Sequence, residues 1–261
     1  MLGGAVAAAL AADGYAVRAT DPAPLLPNAS EALAGDFWQG ALTDPEFVAP
    51  LFEGVHAIVH LAPLTLVEAL PPGTQGRGYG EVLDAAARGT HVLLKAAVEA
   101  GVGLVVQGST LAMMDAYDDA LEITEQWRPR PRPTPAELAP YLAELTAREF
   151  TRDVQLTSPL SIVCLRFGAL VDGAGGPSGS SAAGGPSGAR SLHVADAAHA
   201  VLRALAALRG GARQRGHRWQ LYHIASPSPE ARYTSAAAQQ ALGYAPPRSA
   251  GHGGPGAATG G

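Results

Sequence analysis

The chain has 261 residues, 47% of them hydrophobic and 16% charged, a composition that suits a packed core and not a disordered chain. A net charge of −5 with no long basic run argues against nucleic acid or an anionic membrane surface as a partner. One cysteine, Cys164, excludes an internal disulfide framework and any zinc site built on cysteine pairs.

Residues 1–12 are apolar, but they lack a basic leader and the length of a bilayer span, so they read as a helix. With no targeting segment visible, a cytoplasmic location is the expectation. The hydrophobic pattern predicts a helix over 3–13 and a strand over 15–20. A helix near 44–52 then precedes a strand over 55–60, and a long helix near 79–100 precedes a strand over 102–107. Residues 127–133, Trp-Arg-Pro-Arg-Pro-Arg-Pro, read as a stiff, extended loop leading into a helix near 136–155. The strand over 161–167 follows, with Cys164 as a buried, inert thiol compatible with a reducing compartment. A helix over 193–208, a strand over 219–225 and a short helix near 233–242 fit a smaller lobe at the carboxyl edge of the sheet. Residues 173–188 and 249–261 are almost entirely Gly, Ser, Ala and Pro and cannot offset their ordering entropy, so both are expected to be unstructured.

Alternating strands and helices argue an α/β fold with a doubly wound parallel sheet, covered on both faces. The first stretch adds chemistry. Gly3 opens a helix, Gly14 closes it, a strand follows, and Asp21 ends that strand. This is the second half of a dinucleotide-binding βαβ unit. The helix amino terminus offers free N–H groups to a pyrophosphate, and Asp21 would accept from the adenosine ribose hydroxyls. Its charge opposes a 2′-phosphate, which favours NAD over NADP. The expected organisation is a dinucleotide-binding domain over 1–172, a disordered insert over 173–189, a small substrate lobe over 190–247 and a disordered tail over 248–261.

Several pieces together resemble the extended short-chain dehydrogenase/reductase family, the NAD-dependent epimerase and dehydratase group. They are Gly3-Gly4-Ala5 through Asp21, Gly54-Val55-His56-Ala57-Ile58-Val59-His60-Leu61-Ala62, Gly89-Thr90, Gly108-Ser109-Thr110, Leu165-Arg166-Phe167-Gly168 and His193-Val194-Ala195-Asp196, in the family's order. The resemblance implies that Gly3 is the third glycine of the family's phosphate loop and that the first strand of the sheet is missing. It also adds Leu61 and Ala62 to the cofactor site. His60 reads as a core histidine, and Asp196 as the cap of the helix that follows it. Ala41 and Ala86 stand where the family carries polar residues.

The family's chemistry uses Tyr-x-x-x-Lys on one helix and a Ser or Thr at a neighbouring strand end. By that resemblance Tyr141 is the catalytic tyrosine, and Thr110, with Ser109 beside it, is the hydroxyl that orients the reacting oxygen. The lysine position holds Leu145, so a cation that would help Tyr141 ionise is absent there. Arg148 lies two turns from Tyr141, too far for direct substitution. No metal site is expected, since His193 and His199 do not share a helical turn.

The implied function is an NAD-dependent oxidoreductase, epimerase or dehydratase acting on a sugar nucleotide or similar small hydroxylated compound. The alternative is an NAD-binding sensor or scaffold that turns nothing over. A homodimer through the two long helices, near 79–100 and 136–155, is the default assembly implied by the resemblance.

Overall fold

The computed structural model describes residues 2–25, 31–65, 78–153, 159–171, 191–210, 218–226 and 232–246. Helix α1 (Leu2–Ala12) ends at Gly14, where φ is 86° and the Tyr15 amide donates to the Leu10 carbonyl at 3.0 Å. A side chain with a Cβ would be strained in that left-handed turn, so glycine closes the helix. Strand β1 (Ala19–Asp21), the short helix α2 (Glu31–Ala34) and strand β2 (Phe37–Gln39) follow, with β1 and β2 parallel and Asp21 opposite Gln39. The strand expected over 15–20 therefore pairs only from Ala19 onward. Among the described residues β2 is the sole ladder partner of β1, and a strand extends only where a ladder can form.

Helix α3 (Pro45–Val48) starts at Asp44, whose carboxylate accepts from the Glu46 amide at 3.0 Å, and continues as a 3-10 turn over Ala49–Phe52. Strand β3 (Ile58–His60) leads into the single turn α4 (Ala62–Thr65). The long helix expected at 79–100 comprises α5 (Tyr79–Asp84), a π-helical turn (Ala85–Gly89) and α6 (Thr90–Glu99). Strand β4 (Leu104–Thr110), a 3-10 turn (Leu111–Met114), helix α7 (Pro135–Arg152) and strand β5 (Ser161–Phe167) come next. Strands β6 (Ala169–Val171) and β7 (Ser191–His193) form a small parallel pair. Helix α8 (Val194–Arg209), strand β8 (Trp219–Ile224) and helix α9 (Ala236–Leu242) complete the described chain. The glycine-rich stretches expected to be disordered, 173–189 and 248–261, lie outside the described residues.

The main sheet has the order β3-β4-β5-β8, every pair parallel. From the segment expected as a small lobe, β8 forms the sheet's far edge, and α8 packs against α1. Helix α8 is capped by His193, not by Asp196 as expected: the His193 Nδ1 accepts from the Ala195 amide at 3.0 Å. A cap must precede the helix with extended backbone, as His193 does at φ −66° and ψ 137°, whereas Asp196 already lies in the first turn.

Alternation along each strand sorts residues between two helical layers. One face carries Val106, Val163, Leu165 and Phe167 against Leu2, Val6 and Leu10 of α1 and Val201 of α8. The other carries Ile58, Val105 and Ile162 against Leu94 and Ala97 of α6 and Ala147 of α7. Each of the larger of these side chains contributes about 1.5–3 kcal/mol on full burial, and because both faces are covered the first halves of β4 and β5 are largely apolar. Among the described residues no helix is long and apolar enough to cross a membrane.

Candidate functional site

The face of the sheet beneath α7 changes character along its length. Its first register row, Ile58, Val105, Ile162 and Trp219, belongs to the apolar core. Two residues further on the row is His60, Gln107, Cys164 and Leu221, and two beyond that it is Ser109, Arg166 and His223. His60, Gln107, Ser109, Arg166 and His223 are nonetheless all buried. The Arg166 guanidinium makes a two-pronged pair with Glu144 of α7, Nε to Oε1 at 2.8 Å and Nη2 to Oε2 at 2.7 Å. The His223 backbone amide donates to the Glu125 carboxylate at 3.0 Å. Burial pushes the His60 imidazole down to about 4, and the ring lies 2.9 Å from Thr90 Oγ1. Burial first, and the Arg166 charge second, push His223 down to about 3. Cys164 is buried as expected, and that burial pushes its thiol well up.

Ser109 and Thr110 do not follow β4; they are its last two residues, paired with Arg166 and Phe167. Consecutive strand residues point to opposite faces, so the two hydroxyls part company. Ser109 Oγ is sealed beneath α7 with no partner among the described residues. Thr110 is half-buried, and its Oγ1 accepts from the Ala112 amide at 3.1 Å, starting the 3-10 turn and leaving its own proton to donate. Tyr141, also half-buried, packs on the cluster of Leu111, Met113, Met114, Ile123 and Tyr233 that this turn begins. The structure thus brings Tyr141 to the turn at the end of β4. Leu145, one helical turn beyond Tyr141, is 39% exposed.

Gly3 lies in the first turn of α1, where an added Cβ would meet nothing within 4 Å. Asp21 ends β1 with its side chain exposed, one carboxylate oxygen accepting from the Ala23 amide at 2.9 Å. Leu61 and Ala62 follow directly on β3. A Cβ on Gly108 would sit 2.9 Å from Leu61 Cδ2 and 2.7 Å from Leu64 Cδ1, so the segment after β3 rests on the bare backbone of β4. Among the described residues no group of three His, Cys, Asp or Glu could hold a metal ion.

Gln107, Glu125, Glu144, Arg166 and His223 are not among the candidates drawn from the sequence. A signal was available for two of them: Gln107 follows the apolar run Leu104-Val105-Val106, and Arg166 follows Ile162-Val163-Cys164-Leu165.

A parallel sheet layered between helices, with strand-end loops gathering hydroxyl and carboxylate groups, defines a Rossmann-type α/β protein, as the motifs led us to expect. Residues 1–207 match the NAD(P)H-binding family, and the chain belongs to it. Similar solved structures include a mutated uronate dehydrogenase, at 21% identity and TM-score 0.68, covering 94% of this chain and 77% of that one. MoeE5 in complex with UDP-glucuronic acid and NAD is 22% identical at TM-score 0.68, covering 94% of this chain and 90% of that one. The UDP-N-acetylglucosamine 4-epimerase from Bacillus cereus is 19% identical at TM-score 0.66, covering 95% and 90%. At these identities the likeness speaks for the fold. No curated protein matches the sequence.

Proposed function

We propose that the chain is an NAD-dependent oxidoreductase of the epimerase and dehydratase type, acting on a sugar nucleotide, a uronic acid or a similar hydroxylated sugar compound. The observation that carries the reading is Tyr141 packed on the turn that Thr110 starts, at the carboxyl end of β4. Tyr141 takes or returns the proton of the reacting hydroxyl. Thr110, with one lone pair engaged by the Ala112 amide, donates its proton to the same oxygen. Ser109 backs this end of the strand from the face beneath α7.

The residues present suit the cofactor. The first turn of α1, open at Gly3, turns free amides toward a pyrophosphate, and the exposed Asp21 suits ribose hydroxyls and disfavours a 2′-phosphate. Leu61 and Ala62 wall the site after β3. Bound NAD supplies the hydride exchange. The substrate classes to try follow the solved neighbours, one a uronate dehydrogenase and another bound to UDP-glucuronic acid. The test is NADH formation by the pure protein on a panel of uronic acids and sugar nucleotides, with isomer analysis of the products. Turnover that Tyr141→Phe abolishes is expected; turnover that Tyr141→Phe leaves intact would remove Tyr141 from the chemistry. A homodimer through the 79–99 helix and α7 belongs to the same reading, and a solution mass of one chain would count against it.

A second reading has its own observation. Leu145 presents an exposed apolar side chain where the family's lysine would stand, which favours a sensor that binds NAD and turns nothing over. Under that reading Leu145→Lys creates activity, and adding Tyr141→Phe removes it.

A further inference from the structure

Helix α7 contains a proline, Pro140, immediately before Tyr141. Proline has no amide to donate, and its ring crowds the carbonyl one turn back, so the helix is weakest where its candidate catalytic residue sits. On either side of this point the helix is gripped by a buried carboxylate. Glu137, 2% exposed, accepts from the Arg132 amide at 2.7 Å and from its Nε at 2.6 Å. Glu144, 5% exposed, holds the Arg166 fork. Seven residues are two turns, so both acids lie on one face of α7, with Tyr141 between them in sequence. Arg132 belongs to the loop that delivers the helix, and Arg166 to β5 in the sheet.

Stability alone does not account for Glu144–Arg166. Apolar residues of similar volume in place of a buried ion pair are often as stable or more so. What the two parallel N–H···O bonds add is direction, because a forked pair admits one orientation where two apolar side chains can slide. We propose that Glu144 and Arg166, seconded by Glu137 and Arg132, are positioning residues that hold the proline-weakened helix so that Tyr141 stays in register with Thr110. This rests on the catalytic reading of Tyr141 given above.

The test replaces the pair as a pair, Glu144→Leu with Arg166→Met, so that no buried charge is stranded. Thermal stability should stay close to that of the parent. With ring-labelled tyrosine, the Tyr141 resonance, identified by its loss in Tyr141→Phe, should shift or broaden while that of Tyr15 stays in place. Turnover should fall by about 10-fold or more through kcat, with KM for NAD unchanged, as a displaced group predicts. A Tyr141 resonance that does not move overturns the proposal, whatever the turnover. If the parent turns over no substrate, the catalytic reading fails by itself, and the resonance still decides whether the pair positions Tyr141. Should the double variant not fold, Glu144→Gln keeps the shape and one hydrogen bond while removing the charge. An unmoved resonance in that variant is equally fatal.

Discussion

The two faces of the same strands differ most at their carboxyl ends. Beneath α1 and α8 the residues of β5 remain apolar to the last, through Val163, Leu165 and Phe167. Beneath α7 the alternate residues of the same strand run Ile162, Cys164, Arg166. One face contributes burial without compromise. The other ends in groups that are costly to bury: Arg166 is paired with Glu144, whereas the side chains of Gln107, Ser109 and His223 find no hydrogen-bond partner among the described residues.

Among substitutions the largest effect is expected from Arg166→Ala, which strands Glu144 as a buried charge and should cost about 3–5 kcal/mol in chemical denaturation. A loss under about 1 kcal/mol would mean that the polar face is wetter and less committed than its burial implies. On the opposite face Leu165→Ala, at a site with no exposure, should cost about 2–5 kcal/mol through lost burial and a cavity.

Acid should act on the polar face through its two buried histidines. His60 and His223 are held neutral to about 4 and about 3, against an ordinary 6.5. Below pH 6.5 the unfolded chain binds protons that the folded chain refuses. Their stabilising contribution is therefore complete above that pH and is lost as pH falls toward about 4 and about 3. The slope should be about 1.4 kcal/mol per pH unit for each histidine. Denaturation midpoints that stay level from about pH 7 to about pH 5 would contradict this assignment. The smallest effect is expected away from both faces: Asp21→Ala should narrow a preference for NAD over NADP by about 1–2 kcal/mol, read from binding titrations. Tighter binding of NADP by the unaltered chain would reverse the role given to Asp21.

Legibility in the sequence follows the same division. Strand β5 is readable from end to end at 161–167, because its apolar run and its boundaries are local properties. Strand β4 reads as ending at Gln107, since Gly108 and Ser109 look like loop residues. They remain in the ladder because Leu61 and Leu64, far away in the chain, fill the space that bare Gly108 leaves. Strand β1 reads as six residues and pairs over three, since the ladder depends on a neighbour and not on the strand's own pattern. Tyr141 and Thr110 are visible through motif order. The Glu144–Arg166 pair is not, because its partners stand 22 residues apart on a helix and a strand whose relative rotation no local pattern encodes.

The π-helical turn at Ala85–Gly89 has a consequence for insertion and deletion. A π turn houses one residue more than an α-helix needs, so the segments before and after it are out of phase by about 100°. That offset lets Val82 and Ala86 meet Ala139 of α7 while Leu94 and Ala97 face the sheet. Removing Ala87 would leave a regular helix with every backbone bond made, yet one of the two contacts would have to rotate away. The turn therefore behaves as a one-residue phase shifter: a shortened gene product would gain helical regularity and lose the docking of α5 on α7.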